Sequence, residues 1–368
     1  MDKLSKITLR GFKSIRSLDE LTLRNINVLI GANGAGKSNL ISFFKMLNWM
    51  TPSTGNLQFI IGKSGGANAL LHDGASLTPQ IEASLSFESD KGLNEYYMRL
   101  FYAAPDTLRF ADERYRFSRK GLPTSAEWKT LESGHSETRL IAAADNGDQT
   151  AKTILWILKS CVVYQFHNTS ETARIRQKWD IEDNRFLKED GANLAPFLYL
   201  LNKTRPEYYR RIVDTIRQIA PFFGDFIFEP ENGKVLLKWQ ERESDMLFGA
   251  HQASDGTLRM FALVSLLLQP ENCLPSVIIL DEPELGLHPY AINVISGLLK
   301  SVSVNRQVIL ATQSTTFIDY FDPEDVVVVE RPGRESFFKR LEPEKLDQWL
   351  DEYSMAELWE KNVIGGRP

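Results

Sequence analysis

The sequence has few cysteines, no long apolar run and little net charge, and each of these shortages excludes a class of protein. Its 368 residues include two cysteines, Cys161 and Cys273, which are too few for a disulfide framework. Neither stands in a CxxC or Cys/His spacing typical of zinc, so both are expected in the core. All apolar runs fall short of the roughly 20 residues that a bilayer-spanning helix needs. A membrane-embedded protein is therefore not expected.

The start of the chain and its charge narrow the class further. MDKLSKITLR lacks the apolar core of a secretory signal, which predicts a cytoplasmic protein. The formal net charge of −5 argues against a generally basic coat for nucleic acid but leaves room for a local basic face. There is no internal repeat and no heptad run long enough for a coiled coil. A hydrophobic content of 43% instead indicates a sizeable folded core.

What the sequence does contain is an alternation of strand and helix patterns. Alternating apolar residues near Ile7 and Leu21 predict edge strands, and the same alternation from 80 to 120 predicts a small antiparallel sheet. Continuous apolar runs predict buried parallel strands at 26–30, 276–280, 307–312 and 326–330. Helical patterns predict helices at 38–48, 137–160, 257–268 and 291–302, with two more over 193–217 separated near Pro206.

The segment GANGAGKS, residues 31–38 and here called the phosphate loop, matches the pattern G-x-x-x-x-G-K-[ST] between a predicted strand and a predicted helix. Glycines allow a tight turn whose backbone N–H groups point at phosphate oxygens. Lys37 would reach the β- and γ-phosphates, and the hydroxyl of Ser38 would ligate Mg²⁺. The predicted nucleotide-binding residues are Asn33, Gly34, Ala35, Gly36, Lys37, Ser38 and Asn39.

A second segment, VIILDEPELGLHP at 277–289, carries an acidic pair at the end of an apolar strand. Asp281 is predicted to hold Mg²⁺ through water, and Glu282 to orient or deprotonate the attacking water. Adjacent residues at a strand end point in different directions, which suits two different roles. The alternative interpretation is an acidic helix N-terminus that the helix dipole favours.

A third segment, HQASDGTLRM at 251–260, places Ser254, Asp255 and Gly256 directly before an apolar run. Taken alone it indicates an ordinary helix start, in which Ser254 or Asp255 caps a buried helix over 257–268. Nothing local in the segment predicts more than that.

In this order along the chain, GANGAGKS, ASDGTLRM, LDEPELGLHP and ILATQST resemble the ABC-type ATPase heads of the RecF, SMC and OLD group. The resemblance is closest to stand-alone bacterial ATPases that lack both coiled-coil arms and a nuclease domain. FKSIRSL, DGANLAPFL and ELWEKNVIGGRP extend it over nearly the whole chain. It implies an α/β P-loop NTPase fold, with a mixed central sheet, an antiparallel β lobe and an inserted helical lobe.

The resemblance also implies a division of one ATPase head, residues 1–368. The parts are 1–130 with the phosphate loop and the β lobe, 131–250 as a helical and mixed insertion, 251–340 with the remaining motifs, and 341–368 as a helical tail.

The same resemblance implies an ATP-dependent homodimer that binds and hydrolyses Mg-ATP. Ser254 and Gly256 would contact the γ-phosphate bound to the second copy, because a serine hydroxyl and a helix N-terminus suit an anion. Residues 284–288, here called the D-loop, would cross the subunit interface, and His288 belongs to them. Glu282 and Gln313 would be catalytic. Where the family usually has a switch histidine this chain has Gln313, which can donate a hydrogen bond but cannot become cationic, so the hydrolysis rate stays open.

Two further features keep alternatives open. Gln165 in VVYQFHNTS is a candidate for the Q-loop glutamine of the family, or else a strand glutamine bonded to backbone; His167 nearby is expected to be structural. Basic and aromatic residues gather at 113–120, 173–178 and 203–211. These segments fit either a clamp for DNA phosphates and bases or solvated faces of the fold.

Three functions are compatible with these motifs. The first is an ATP-hydrolysing switch whose dimerisation is coupled to DNA repair, DNA processing or phage defence. The second is a slow nucleotide-gated scaffold or sensor that controls a separate effector such as a nuclease. The third, a small-molecule kinase or GTPase, is disfavoured for two reasons. The sequence has no N-K-x-D segment, which would read guanine, and such an enzyme would have no use for the 251–260 segment.

Overall fold

The protein is organised around two six-stranded sheets. A computed structural model describes residues 3–51, 56–121 and 126–367, apart from the side chain of Asp347. The strands are β1 (Lys3–Phe12), β2 (Ile15–Thr22), β3 (Ile26–Ile30), β4 (Gln80–Ser89), β5 (Gly92–Ala103), β6 (Thr107–Arg119), β7 (Lys129–Leu131), β8 (Cys161–Tyr164), β9 (Trp179–Asp180), β10 (Phe223–Ile227), β11 (Lys234–Val235), β12 (Lys238–Glu241), β13 (Leu247–Gly249), β14 (Val277–Asp281), β15 (Gln307–Thr312), β16 (Val326–Glu330) and β17 (Phe337–Arg340).

The helices connect and cover these sheets. They are α1 (Lys37–Trp49), α2 (Asn56–Lys63), α3 (Leu140–Asp145), α4 (Gln149–Lys159), α5 (Leu194–Thr204), α6 (Pro206–Ile219), α7 (Asp255–Leu268), α8 (Pro289–Ser303), α9 (Thr315–Ile318), α10 (Asp347–Leu350) and α11 (Met355–Glu360). Within the described ranges, no helix has the length and apolarity needed to cross a membrane.

The first sheet, here called the core sheet, has the strand order β17-β16-β3-β15-β14-β8. Its strands run parallel except for β17, which is antiparallel to β16. Parallel strands end at one common edge, so the residues that follow β3, β14, β15 and β8 meet there. This carboxyl edge gathers the phosphate loop, the acidic pair and two glutamines.

Both faces of the core sheet are covered, because successive side chains of a strand point to opposite faces. Val28 and Ile30 belong to one apolar cluster with α5, α6 and α7, whereas Leu29 belongs to a second cluster with α1 and α4. This double burial explains why these strands are continuous apolar runs in the sequence.

The second sheet is antiparallel, in the order β2-β1-β4-β5-β6-β7. Its inner face packs on α1, where the rings of Phe12 and Phe43 meet edge to face at 5.5 Å. The outer face carries polar and charged side chains, as the two-residue period of β4 and β5 predicts. The predicted antiparallel sheet is confirmed, but β1 is not an edge strand, because it lies between β2 and β4.

Two other predictions are corrected. The predicted helix over 137–160 is two helices, because Gly147 adopts φ +95° and Asp148 starts α4 by accepting a hydrogen bond from the N–H of Ala151 at 2.9 Å. Cys161 is buried as expected, whereas Cys273 lies only partly buried in a short 3-10 turn. The two predicted helices over 193–217 are present, and Pro206 begins the second.

Candidate functional site

The phosphate loop joins the end of β3 to the start of α1, and its glycines are required by close contacts. Gly31 has φ +153°, and a Cβ there would clash with the carbonyl oxygen of Val329. Gly36 has φ +116° and stands immediately before α1, where a Cβ would clash with the hydroxyl of Ser336. Only glycine fits such close approaches. The loop therefore presents backbone N–H groups and a helix N-terminus at the carboxyl edge.

Lys37 is the cation of this loop. The residue is 5% exposed, and its ammonium donates to the carbonyl oxygens of Gly31 and Ala32, the latter at 3.1 Å. Burial lowers the pKa of Lys37, and the nearby carboxylates of Glu282 and Asp281 oppose that shift. The lysine thus stands between the loop and the acidic pair, which is where a phosphate chain bridging the two would lie.

Asp281 ends β14 beside Gln165, which follows β8. The side-chain amide of Gln165 donates to Oδ2 of Asp281 at 3.1 Å, and Nε2 of His167 lies 2.8 Å from the carbonyl oxygen of Asp281. Burial raises the pKa of the Asp281 carboxyl, opposed by His167 and by the bond from Gln165. Gln165 therefore bonds an acidic side chain of the site, and not backbone as the alternative interpretation has it.

Glu282 and Gln313 meet across the ends of β14 and β15. The side-chain amide of Gln313 donates to Oε1 of Glu282, and the N–H of Glu282 donates to the carbonyl oxygen of Ala311 at 2.8 Å. Glu282 has φ +42°, in the left-handed region that is uncommon for a residue with a Cβ. The acidic pair is not a helix N-terminus, since the next helix, α8, begins only at Pro289.

Glu284 is a residue of the site that the sequence did not single out for its own role. It is 8% exposed, and its Oε1 accepts a hydrogen bond from the hydroxyl of Thr312. Its Oε2 is buried without a hydrogen-bond partner among the described residues. Burial raises the pKa of Glu284, opposed by the bond from Thr312. A carboxylate in a loop is expected to be exposed to solvent, so the sequence does not predict that Glu284 is buried.

Ser254 caps α7, as the local reading of its segment predicts. Its hydroxyl accepts a hydrogen bond from the N–H of Thr257 at 3.1 Å. Gly256, two residues further along the chain, lies against the D-loop, because a Cβ there would clash with the carbonyl oxygen of Gly286. Among the described residues, no hydrogen bond joins Ser254 to the phosphate loop of the same chain. His288 caps α8 through Nδ1, which accepts from the N–H of Tyr290 at 3.3 Å.

Two arginines that no sequence motif marks as site residues connect these segments. Arg259 on α7 donates to the carbonyl oxygens of Phe166 at 3.2 Å, His167 at 3.1 Å and Leu285 at 3.0 Å. Arg176 donates to the carbonyl oxygen of Thr169 at 2.8 Å and pairs with Asp255 at 3.1 Å. The segment after β8, the D-loop and the start of α7 are therefore held together.

The three basic segments are largely engaged within the chain. In 173–178, Arg174 pairs with Asp190 at 2.9 Å and Lys178 with Glu231 at 2.5 Å. In 113–120, the guanidinium of Arg114 stacks on the rings of Tyr97 and Trp128 at 4.4 and 5.1 Å, while Arg116 pairs with Glu95 at 2.5 Å. In 203–211, Lys203 and Arg211 lie over the rings of Tyr199 and Tyr208. The charges of 173–178 are therefore better explained by ion pairs within the chain than by a clamp for DNA.

The residues of this site suit a Mg²⁺ ion that shares its ligands with a bound phosphate, and not an ion held by protein side chains alone. Within the described part of the chain, no group of three or more His, Cys, Asp or Glu side chains could hold a metal ion by itself. Mg²⁺ usually takes one or two protein ligands and completes its shell with phosphate oxygens and water. Ser38 and Asp281, which belong to two motifs at the carboxyl edge, are the pair that would hold it.

A phosphate loop, an acidic strand end and a glutamine meet at the carboxyl edge of the core sheet, and a Ser-x-Gly segment begins α7. Together they identify a P-loop ATPase of the ABC type. Residues 26–319 match the AAA_21 family, described as "AAA domain, putative AbiEii toxin, Type IV TA system". The match covers most of the chain, which therefore belongs to this family.

Solved structures show the same fold at low sequence identity. The Smc head domain of Pyrococcus furiosus with an extended coiled coil, bound to the C-terminal domain of ScpA, has a TM-score of 0.62 at 14% identity, covering 96% of this chain and 99% of that one. An SmcHead bound to the C-winged helix domain of ScpA has a TM-score of 0.60 at 16% identity, covering 93% and 99%. The predicted α/β fold of the RecF and SMC head type is confirmed.

Curated relatives of similar sequence are named as ATP-binding proteins. The energy-coupling factor transporter ATP-binding protein EcfA2 of Staphylococcus aureus is 26% identical over 179 residues, which are 41% of this chain and 60% of that protein. EcfA2 of Staphylococcus epidermidis is 26% identical over 172 residues, which are 39% and 59%. This chain thus spans about 60% of the length of the curated relatives that it matches.

Proposed function

We propose that two copies of the chain dock head to tail around two Mg-ATP molecules, hydrolyse them and then separate. The observation that carries this proposal is the division of the motifs within one chain. Lys37, Asp281 and Glu282 share the carboxyl edge of the core sheet. Ser254 and Gly256 instead lie at the start of α7, where Gly256 contacts the D-loop. A second copy can supply the anion-binding start of α7 to the open side of the phosphate loop.

Binding uses groups that the chain already holds in place. The N–H groups of the phosphate loop and the ammonium of Lys37 receive phosphate oxygens, and Lys37 gives up its bonds to loop carbonyls in exchange. Ser38 and Asp281 would hold Mg²⁺, and the ion would neutralise charge on the phosphate oxygens. ATP is the nucleotide favoured, since the curated relatives of similar sequence are named ATP-binding proteins.

Hydrolysis then depends on Glu282 and Gln313. Glu282 accepts a proton from the attacking water, and the amide of Gln313 positions that water or the γ-phosphate. For this step the amide must leave the carboxylate to which it donates. Ser254 and the start of α7 from the second copy bind the γ-phosphate, so its loss removes the contact that holds the dimer.

In the cell, this switch would act in DNA repair, DNA processing or phage defence in the cytoplasm. The motif resemblance to the RecF and SMC heads, a group that acts on DNA, supports a role next to DNA, and the family description, which names a putative toxin, is compatible with phage defence. The outer face around Arg114, Tyr97 and Trp128 is the surface proposed for DNA. Affinity for a DNA duplex should fall at least 10-fold between roughly 50 and 200 mM salt, and a salt-independent affinity argues against this surface.

A second candidate function is a slow nucleotide-gated scaffold that controls a separate effector such as a nuclease. Two observations favour it. The amide of Gln313 donates to the carboxylate of Glu282 and so competes with the attacking water, and both Smc heads are bound to a separate protein, ScpA. Strong stimulation of ATP turnover by DNA would favour the switch. A nuclease encoded beside this chain, with turnover that DNA leaves unchanged, would favour the scaffold.

The dimer is tested by sizing variants with and without Mg-ATP. Glu282→Gln keeps the size and hydrogen-bonding capacity of the side chain but removes the proton acceptor, so it should accumulate as an ATP-bound dimer. Ser254→Arg should stay monomeric and still bind ATP, because it blocks only the contact to the second copy. Lys37→Ala serves as the control that binds no nucleotide. A monomeric Glu282→Gln in saturating Mg-ATP contradicts the proposal.

A further inference from the structure

Arg176 belongs to the basic segment 173–178, which the proposed mechanism does not use, but its side chain does not lie in solvent like the other cations of that segment. It is 8% exposed, whereas the side chains of Arg174 and Lys178 are 57% and 50% exposed. A guanidinium always carries its charge and has several N–H donors, so burying it is costly unless those donors find acceptors. The acceptors of Arg176 therefore indicate its role.

The guanidinium of Arg176 bridges two segments of the chain. Its Nε donates to the carbonyl oxygen of Thr169 at 2.8 Å. Its Nη1 donates to the carbonyl oxygens of Ala250 and, at 3.2 Å, of Ala253. Its Nη2 donates to Oδ1 of Asp255 at 3.1 Å. Arg176 thus ties the segment that follows β8 to the residues that lead into α7.

Two of these contacts stand on either side of Ser254, the residue that the proposed dimer needs. Ala253 precedes Ser254 and Asp255 follows it, so the guanidinium holds the chain before and after the serine. Ser254 itself is exposed and caps α7 by accepting from the N–H of Thr257. A second copy can therefore reach a helix start whose position Arg176 fixes.

The charge of Asp255 gives Arg176 a second role. Asp255 stands in the first turn of α7, directly after Ser254. A carboxylate there is favoured by the helix dipole, but it repels a phosphate that approaches the same helix start. The guanidinium of Arg176 lies 3.1 Å from this carboxylate and opposes its charge. The ion pair therefore favours the binding of an external phosphate at Ser254.

The nucleotide site of the same chain is held by other contacts. Asp281 is bonded by Gln165 and His167, and the ammonium of Lys37 is bonded by carbonyls of its own loop. Among the described residues, the hydrogen bonds of Arg176 reach none of these side chains. Loss of Arg176 should therefore affect the ATP bound to the second copy, not the ATP bound to its own chain.

We propose that Arg176 is a positioning residue that acts on the ATP of the second copy, because it fixes Ser254 and opposes the charge of Asp255. This inference rests on the proposed head-to-tail dimer and adds to it the residue that holds the start of α7 in place. The alternative is that Arg176 only braces the fold.

The first test separates positioning from nucleotide binding. Arg176→Gln should lower kcat for ATP hydrolysis roughly 10-fold or more, because a displaced Ser254 no longer meets the γ-phosphate. The affinity for an ATP analogue, measured at protein concentrations too low for dimers, should stay that of the wild type. Arg174→Gln is the matched control, because Arg174 lies on the same short 3-10 turn but pairs with Asp190 at 2.9 Å. Its turnover should equal that of the wild type.

Asp255→Asn tests the charge. In the Arg176→Gln chain it removes the carboxylate that is left unopposed, so the double variant should turn over ATP roughly 3-fold faster than Arg176→Gln alone. If Arg176 only braces the fold, Asp255→Asn has no repulsion to relieve, and the double variant should be no faster.

Mixed dimers show on which ATP molecule Arg176 acts. Glu282→Gln binds ATP and has an intact α7 but cannot hydrolyse, so it can complete only the site that the other variant's phosphate loop begins. Arg176→Gln mixed with an equal amount of Glu282→Gln should therefore hydrolyse several-fold faster than either variant alone. Hydrolysis is measured over the first turnover, since Glu282→Gln keeps the pair closed. Ser254→Ala should gain in the same way, whereas Lys37→Ala, which lacks a working phosphate loop, should not.

The outcomes separate this inference from the proposed dimer. If the Ser254→Ala mixture gains activity and the Arg176→Gln mixture does not, Arg176 does not act on the second copy's ATP. Wild-type turnover in Arg176→Gln overturns the inference as well. If neither mixture gains activity, the shared sites of the dimer fail. Gains in both mixtures, with none for Lys37→Ala, support both proposals. Should Arg176→Gln not fold, Arg176→Lys replaces it in the mixtures, because an ammonium keeps the charge but cannot span the same acceptors.

Discussion

The side-chain amide of Gln313 donates a hydrogen bond to the carboxylate of Glu282, across the ends of two neighbouring parallel strands. The backbone supports this pair, because the N–H of Glu282 donates to the carbonyl oxygen of Ala311 at 2.8 Å. Glu282 has φ +42°, a conformation that costs a residue with a Cβ of the order of 1 kcal/mol. The direction of this carboxylate is therefore set by contacts between the strand ends.

The first prediction replaces the switch glutamine by the residue that the wider family usually has. Gln313→His should raise ATP turnover, of the order of 10-fold, because a protonated imidazole places positive charge beside the phosphate that a neutral amide cannot supply. The gain should be larger at pH 6 than at pH 8. Turnover and ATP affinity are measured across this range, with Gln313→Ala as the variant that lacks any donor. Unchanged turnover and affinity in Gln313→His would show that this position is not the switch.

The second prediction concerns Gln165, whose amide orients Asp281 at 3.1 Å. Gln165→Ala should raise the Mg²⁺ concentration for half-maximal turnover roughly 10-fold, as loss of a residue that orients a metal ligand typically does. ATP affinity without Mg²⁺ should stay the same. Asn168→Ala is the control, since Asn168 is exposed and its side chain bonds, within the described part of the chain, only to Ser170. An unaltered Mg²⁺ requirement in Gln165→Ala counts against the placement of Mg²⁺ at Asp281.

The third prediction compares two helical glycines. Gly256→Ala should destabilise the protein by about 1–3 kcal/mol, because its Cβ clashes with the carbonyl oxygen of Gly286 and must displace the D-loop. Gly297→Ala in α8 meets nothing within 4 Å and should stabilise by about 0.5–1 kcal/mol. Urea unfolding measures the change in the free energy of unfolding for both variants, which should be a decrease for Gly256→Ala and an increase for Gly297→Ala. Gly256→Ala should also lose ATP-driven dimer formation, and a stabilised Gly256→Ala would show that the two segments separate freely.

The fourth prediction follows from the burial of Glu284, which raises the pKa of its carboxyl. The folded state then binds a proton more tightly than the unfolded state, so stability is favoured below the usual pKa of about 4.3 and declines as pH rises through the folded pKa. Glu284→Gln removes this loss and still accepts the hydroxyl of Thr312. It should melt of the order of 2 °C higher than the wild type at pH 8.

The matching control for Glu284 is the same comparison at low pH. Below about pH 4 both states of the wild type hold the proton, so the advantage of Glu284→Gln should disappear. An exposed acid that forms no ion pair among the described residues, such as Glu171, should show no change at either pH when replaced by Gln. Equal melting temperatures of Glu284→Gln and the wild type at pH 8 would mean that the buried carboxyl carries no cost.

Much of the core sheet could be predicted from the sequence. The runs at 26–30 and 307–312 coincide with β3 and β15, because parallel strands covered on both faces must be apolar at every position. The helix break at Gly147 was missed, since an Asn-Gly-Asp turn interrupts an otherwise continuous helical pattern. Cys273 was placed in the core on residue type alone, which says nothing about the turn that carries it.

By itself, the sequence determined which chemical groups follow which strand: a glycine loop with Lys37 after β3, and an acidic pair after β14. These are local properties, fixed by residue type and spacing. Only the tertiary structure decided that Gln165 bonds Asp281, that Gln313 bonds Glu282 and that Gly366 packs against Gly31 of the phosphate loop. The partners are far apart in the chain, and they meet because packing on both faces of the core sheet sets the strand order and brings the carboxyl ends together.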